Sequence, residues 1–523
     1  MQSIFKTYFQ EWKEEKNNFL KFVSSYKKMI LLLAVVMLYC YGMRLFYYDI
    51  SIDSEIALDS QSTMTLSWIG INRFGLWLTK KIFMINTFVP YASNFLMILF
   101  LGCSAFTFCY CIWQWNGKNE KYKLFYYVFP LLYVTAPIFA EQFNFALQGF
   151  EIAWATFLCI LSAYFTGKWI FLKKSILWMA SGVLLMIWAL GSYQAFSSLY
   201  IAVVLISFML YYQNEDFSGI TTWFGAGLKH AAVFVISFIG YTLATKLITA
   251  YFNLDSSYVN NMFLWKVDGI KSCIFNILGD ALRIYFSAWP LFFRRAFLPA
   301  MLAAVILLLY RGWKCRKKEY WIFVIASLLL MLSPLFLSIV SGNYQPIRGQ
   351  LVYPLLLAFV FAYLTTINKK VVSYVLLAAS LYVALGQGQS LTRLFHTSHF
   401  TYESDKELAG DVHSRIAQVG ADRGMQEYPV VFIGAKSIQK MEDTVDGDVI
   451  GHSFFEWDQA AYAGSTERIV NLCKSLGYGD LYMPSQEQVE FAQEYSHNMP
   501  VWPATGSVQV LNDFVVIKLS ENT

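Results

Sequence analysis

Between Tyr48 and Phe83 the chain reads YDISIDSEIALDSQSTMTLSWIGINRFGLWLTKKIF. Asp49, Asp53, Glu55 and Asp59 stand just beyond the first long apolar run, and Arg73, Lys80 and Lys81 follow on an aromatic, amphipathic stretch. Carboxylates this close to lipid are costly unless solvated or paired, so ionisable groups at such a depth point to function. A carboxylate can take the proton of an attacking hydroxyl. A guanidinium can stabilise a departing phosphate, because its planar fork matches phosphate oxygens and stays charged in a partly dry site. Together the two suit transfer of a group from a lipid phosphate to a hydroxyl. Asp53 and Glu55, two apart, project to one side of an extended loop, whereas in a helix Asp49 and Asp53 would share a face. Either geometry concentrates negative charge, which raises one pKa or holds a divalent cation, Mg²⁺ or Mn²⁺. The hard ligands in this stretch do not by themselves demand a metal. Arg348, far along the chain, is a second candidate for the phosphate.

These residues must be positioned by the rest of the chain, whose composition is that of a membrane protein. Of 523 residues, 57% are hydrophobic, 18% aromatic and only 14% charged, against roughly half apolar and a quarter charged in soluble domains. The net charge of +5 is small for this length and fits basic membrane loops rather than nucleic-acid binding. The eight cysteines lie mostly in apolar runs, with only Cys473 in the polar tail; buried small hydrophobes are the expected role. Residues 1–28 mix Glu11, Glu14 and Glu15 with six lysines and precede a run without a small-residue cleavage site. That pattern predicts an amphipathic helix at the membrane surface, not a secretory signal.

A crossing helix needs about 20 apolar residues. Such runs lie near 29–47, 88–113, 124–140, 151–170, 175–192, 195–212, 231–252, 296–310, 320–340, 351–367 and 371–387. They predict about eleven spans, the region 280–300 being the least regular. Alternate connectors are basic, at Lys27–Lys28, Lys118–Lys123, Lys168–Lys174, Lys229, the cluster Arg311, Lys314, Arg316, Lys317 and Lys318, and Lys369–Lys370. The positive-inside rule makes that side cytoplasmic, which puts the N-terminus inside and both the acidic first loop and the C-terminal tail outside. The other outer connectors then carry Glu141, Gln142 and Asn144, the turn Gly191–Gln194, a long mixed loop with Asp255, Asp268 and Asp280, and Arg348. Their polar groups are expected to line one cavity.

From Gly388 the apolar runs shorten and charge rises. A helix over 403–424, a buried strand at Tyr428–Gly434, helices over 464–476 and 486–496, and closing strands within 507–519 predict one α/β domain. Ser465 is a candidate N-cap, Gly477 a stop, and Asn512-Asp513 a hairpin turn. The expected organisation is a cytoplasmic segment 1–28, a transmembrane catalytic region 29–387 with its catalytic loop at 48–87, and an extracytoplasmic domain 388–523.

Each singled-out residue also has a plainer reading. Asp59 suits a solvated loop position or a helix cap. Asp49 divides between a site role and an ion pair with Arg44. Lys80 and Lys81 are expected to snorkel to headgroups. Glu141 suits a helix cap as well as a site. Arg294 and Arg295 suit an interfacial anchor, but on an outer face they tilt toward lipid phosphate. His396 and His399 form an H-x-x-H spacing without the further ligands a metal needs. Trp68, Phe74 and Trp77 are interfacial aromatics in one reading and sugar-stacking platforms in the other.

Ile52-Asp53-Ser54-Glu55, then Trp68-Ile69-Gly70-Ile71-Asn72-Arg73-Phe74-Gly75 and Lys80-Lys81, resemble the opening of the glucosyltransferase II-like family. Further blocks are Ser192-Tyr193-Gln194-Ala195, Pro429–Gly434 and Gly451–Asp458. These are polytopic GT-C class enzymes that decorate bacterial surface polysaccharides. The resemblance implies a polytopic α-helical, GT-C-like fold and an undecaprenyl-phosphate-linked sugar, a hexose such as glucose, as donor. The acceptor would be a cell-surface polysaccharide or teichoic acid, reached on the outer face of the cell membrane. Such an enzyme works downstream of a polyprenyl-phosphate glycosyltransferase and a flippase. The family's acidic pair falls on Asp53 and Glu55 and its basic residue on Arg73, while Asn72 stands where Gly is expected. Catalytic residues are therefore expected at Asp53, Glu55 and Asp49. Substrate contacts are expected from Arg73, Arg348, Arg294, Arg295, Tyr193, Gln194, Trp68 and Glu141. The competing readings are a transporter or flippase of lipid-linked saccharides, which would want ionisable groups at mid-membrane and paired broken helices, and a non-enzymatic scaffold, which leaves the acidic loop unexplained.

Overall fold

The computed structural model describes residues 2–59, 61–214, 220–254, 263–286, 289–315, 320–367, 369–421 and 426–521. Asp255, Arg316, Lys317, Lys318 and Gly424 lie outside them, as does the side chain of Asp59.

Every one of the apolar runs is helical. Among the described residues seven helices are long and apolar enough to cross a membrane, or up to nine if each bent pair counts as one span. The expected eleven are therefore not reached by length: runs 175–192 and 351–367 form the shorter apolar helices Ile176–Ser192 and Val352–Leu364. One bent pair joins Phe5–Ser25 to Lys27–Tyr41 at 71°. The amphipathic first segment is thus a helix, Gln2–Ser25, and it is docked by its acids. Glu15 pairs with Lys168 and accepts hydrogen bonds from Tyr110 and Tyr164. Glu14 meets Lys174, and Glu11 accepts from Trp178 Nε1 at 2.8 Å. The basic connectors at 118, 168 and 174 therefore gather against this helix at one end of the bundle.

The opposite end carries the polar loops and the tail. The helix Lys370–Ala421 has 52 residues, a length of ~78 Å at 1.5 Å per residue. It runs unbroken through Gly388, so the change of composition there falls inside one element. Its first part packs in the bundle, and its last turns place Ala409, Val412 and Ile416 in the core of the tail.

That tail is a four-stranded sheet in the order β2-β1-β4-β3, made of β1 (Tyr428–Ile433), β2 (Leu481–Tyr482), β3 (Val508–Leu511) and β4 (Phe514–Lys518). β1 pairs in parallel with β2 and β4, and β3 turns back on β4 through Asn512, whose φ is +51°. Val430, Phe432, Val515 and Ile517 face the helices Lys370–Ala421 and Thr466–Ser475, while Val431, Ile433 and Val516 face Gln486–Tyr495. A sheet covered on both sides explains why β1 is a continuous apolar run. Ser465 precedes Thr466–Ser475 without a side-chain cap bond, its hydroxyl donating instead to Trp457 O. Ser485 supplies the full capping box of the next helix.

Candidate active site

The first loop begins at a buried pair. Arg44 Nη1 lies 3.1 Å from Asp49 Oδ2, with the two side chains 2% and 3% exposed. Asp49 Oδ1 is 2.7 Å from His399 Nδ1 on the long helix. Asn94 donates to Arg44 O at 2.6 Å, and the Arg44 guanidinium lies over the Phe395 ring. Asp49, expected as a third catalytic carboxylate, thus has its charge engaged by Arg44 and His399. Its neighbour in that H-x-x-H spacing, His396, turns to Asp443.

A turn at Ser51–Ser54 follows, with Ser54 N donating to Ser51 O at 3.0 Å. Asp53 occupies a left-handed backbone position, φ +69°, which Asp tolerates better than most residues. Its side chain is 65% exposed. The helix Ser54–Asp59 starts immediately after it and turns Glu55 into full burial. Across from them stands the tail helix Thr466–Ser475, and Arg468 on it gathers three carboxylates. Its Nη1 lies 3.0 Å from Asp53 Oδ1 and 2.7 Å from Glu55 Oε1, and its Nε donates to Asp458 Oδ2 at 2.6 Å. Burial pushes the Glu55 carboxyl up to about 7; Arg468 pulls it down and Asp53 adds to the rise. Burial opposes the Arg468 charge, but its carboxylates outweigh burial and hold the guanidinium above its ordinary range. Glu55 Oε2 is buried and, among the described residues, has no hydrogen-bond partner.

A second cluster forms where Trp68–Gly75 meets Ser192–Ala195. Arg73 precedes the helix Phe74–Phe83, and its guanidinium lies 4.7 Å from the Tyr193 ring centroid. Among the described residues it has no carboxylate partner, and its Nε is buried without a hydrogen bond. Gln194 Nε2 donates to Tyr241 Oη at 2.8 Å and to Asn72 O at 3.4 Å. A side chain at Gly75 would collide with Ser192, and one at Gly191 with the Phe74 ring, so both glycines are needed for this close approach. Asn72 has φ +64°. A residue at that point must enter the left-handed region, and Asn does so at less cost than other side chains, which accounts for its place where Gly was expected.

The remaining site candidates serve contacts to the tail or bundle. Glu141 accepts from Asp448 N at 2.9 Å and Val449 N at 3.0 Å, filling the space a side chain at Gly447 would take. Arg348 Nη1 is 3.3 Å from Asp448 Oδ2, and its guanidinium lies over Phe145. Arg294 donates from Nη2 to Ser390 Oγ and from its backbone to Tyr353 Oη, while Arg295 is exposed. Lys80 does not snorkel: it is buried, 2.5 Å from Glu151 Oε1, because that acid sits in the first turn of the neighbouring helix Gly149–Phe171. Lys80 also lies over the Trp68 ring, 5.3 Å from its centroid, so that ring carries a cation on one face.

The structure therefore joins Asp53 to Glu55, Arg73 to Tyr193, and Arg348 to the loop held by Glu141. It adds Arg468, Asp458 and His399, none of which the sequence singled out for this role. Arg468 follows Glu467 on an amphipathic helix and reads as a solvated surface residue. The carboxylates weighed for Mg²⁺ or Mn²⁺ do not form a cradle. Asp53 and Glu55 face Arg468 while Asp49 faces Arg44, and among the described residues no group of three or more His, Cys, Asp or Glu could hold a metal.

The long apolar helices suit a membrane protein, and comparison with known families supplies the class, a glucosyltransferase. The family described as Glucosyl transferase GtrII matches residues 42–365, more than half of the chain, and the chain belongs to it. That segment contains Asp53, Glu55, Arg73, Tyr193 and Arg348 but stops short of the tail. No curated protein and no solved structure matches the chain.

Proposed function

We propose that the protein transfers a hexose, of the glucose class, from a polyprenyl-phosphate donor to a surface polysaccharide or teichoic acid on the outer face of the cell membrane. Asp53 takes the proton of the acceptor hydroxyl as its oxygen bonds to the anomeric carbon. The bond from that carbon to the phosphate oxygen breaks, the electron pair leaves with the lipid phosphate, and Arg73 meets the charge it gains. Arg348 and the loop held by Glu141 wall the acceptor side.

One observation supports this reading above others. Within the family segment, the first loop offers an exposed carboxylate at Asp53 and, two short helices later, a guanidinium at Arg73 that among the described residues has no carboxylate partner. A transporter would not need both a proton acceptor and a cation for phosphate in this one loop. The test is Asp53→Asn in membranes, scored by incorporation of labelled sugar from a polyprenyl-phosphate hexose. Loss of incorporation with normal membrane levels supports the assignment. Normal incorporation overturns it, as does sugar-lipid crossing in proteoliposomes without any transfer.

A further inference from the structure

Arg468 comes from outside the matched family segment, yet it is the cation in contact with the acidic pair. One nitrogen, Nη1, bridges Asp53 and Glu55, while Nε is fixed by Asp458. The guanidinium is therefore held at two edges and only 14% exposed. Its Nη1 and Nε face carboxylates, whereas Arg73 has no carboxylate partner among the described residues and is the cation assigned to the phosphate. Two carboxylates two residues apart repel, and without a cation one of them takes up a proton. Here one of the pair is also stripped of water, because Glu55 is fully buried and its second oxygen finds no hydrogen-bond partner among the described residues. The other, Asp53, projects from a left-handed backbone position in the turn just before the helix Ser54–Asp59.

We propose that Arg468 is a positioning residue for the transfer reaction: from the tail it bridges Asp53 and Glu55 and holds the Asp53 carboxylate aimed at the acceptor. This rests on the role given to Asp53 above, and it makes the tail a component of the site. The charged groups facing Glu55 are Arg468 and Asp53, with Asp458 on the far edge of the guanidinium. The helix Gln61–Gly70, which also packs on Ser54–Asp59, carries no titratable side chain.

The sign of the pH effect follows. Arg468 lowers a Glu55 pKa that already stands at about 7, so its removal moves that value upward. Activity that needs the ionised Glu55 carboxylate beside Asp53 then has its acid limb moved to higher pH, by about one unit or more for loss of an opposite charge at this range. At neutral pH a one-unit rise from about 7 takes the ionised fraction from about one half to about one tenth, roughly a fivefold fall in kcat, recovered in alkali.

The experiment uses the full-length chain in membranes, with Arg468→Gln, Arg468→Lys and Asp53→Asn compared for transfer across neutral to alkaline pH. Arg468→Gln should shift the acid limb upward and regain kcat in alkali, with the donor KM unchanged. Arg468→Lys should show a smaller shift, since a point charge still neutralises one carboxylate. An unshifted limb in Arg468→Gln, with kcat either normal or reduced equally at every pH, overturns the proposal and leaves Arg468 as a docking contact. If that occurs while Asp53→Asn is inactive, only the role of Arg468 fails. If Asp53→Asn is active, the functional reading itself fails.

Discussion

Asp49 and Asp53 are four residues apart in one loop, and the fold treats them in opposite ways. Asp49 is 3% exposed and enclosed by Arg44 and His399. Asp53 is 65% exposed and shares Arg468 with Glu55 and Asp458. A carboxylate sealed against its own cation has nowhere to put a substrate proton, whereas one open on a side can accept it. The difference does not come from residue type or from the local run of the chain. It comes from what reaches each position: a helix end and the long helix for Asp49, the tail for Asp53.

The contrast is sharpest in activity. Asp53→Asn should lower transfer by roughly a hundred- to ten-thousandfold, the range for loss of a general base, with thermal stability in detergent nearly unchanged because the side chain is exposed. An inactive but strongly destabilised variant would erase the distinction. Asp49→Ala should act the other way. It leaves Arg44 charged and buried without its partner, a loss of about 3–5 kcal/mol, seen as a lower unfolding midpoint or less folded protein in the membrane. A stable Asp49→Ala chain with abolished transfer would move Asp49 to the catalytic side. Arg73→Gln should reduce kcat by about ten- to a hundredfold, the value of one hydrogen bond to a charged group, with folded protein retained. The smallest effect tests the turn beneath Arg73. Asn72→Gly should be tolerated, while Asn72→Val should cost about 1–3 kcal/mol for a β-branched residue held at positive φ, measured by thermal unfolding.

Much of this architecture was readable from residue patterns. The apolar runs all became helices, β1 and the closing hairpin fell where β-branched runs and Asn512 predicted, and Gly477, at φ +95°, follows the end of its helix. The acidic loop, Arg73 and the Tyr193 turn could be picked out because charge beside an apolar run and glycines at close approaches leave local signatures. Lengths were less legible. A run such as 351–367 is apolar throughout, but turns at Leu351 and Thr365 cut its helix to Val352–Leu364. Lys80 was misread because its acid, Glu151, lies some seventy positions away, and spacing within a helix says nothing about such a partner.

By itself the sequence determined the elements and the two kinds of charge in the first loop, since periodicity, apolar length and turn chemistry act over a few residues. Only the tertiary structure decided which carboxylate was sealed and which was left open, and that Arg468, more than four hundred residues from Glu55, would join them. Electrostatic partners are chosen by proximity in space and by loss of water, and neither is written in local spacing.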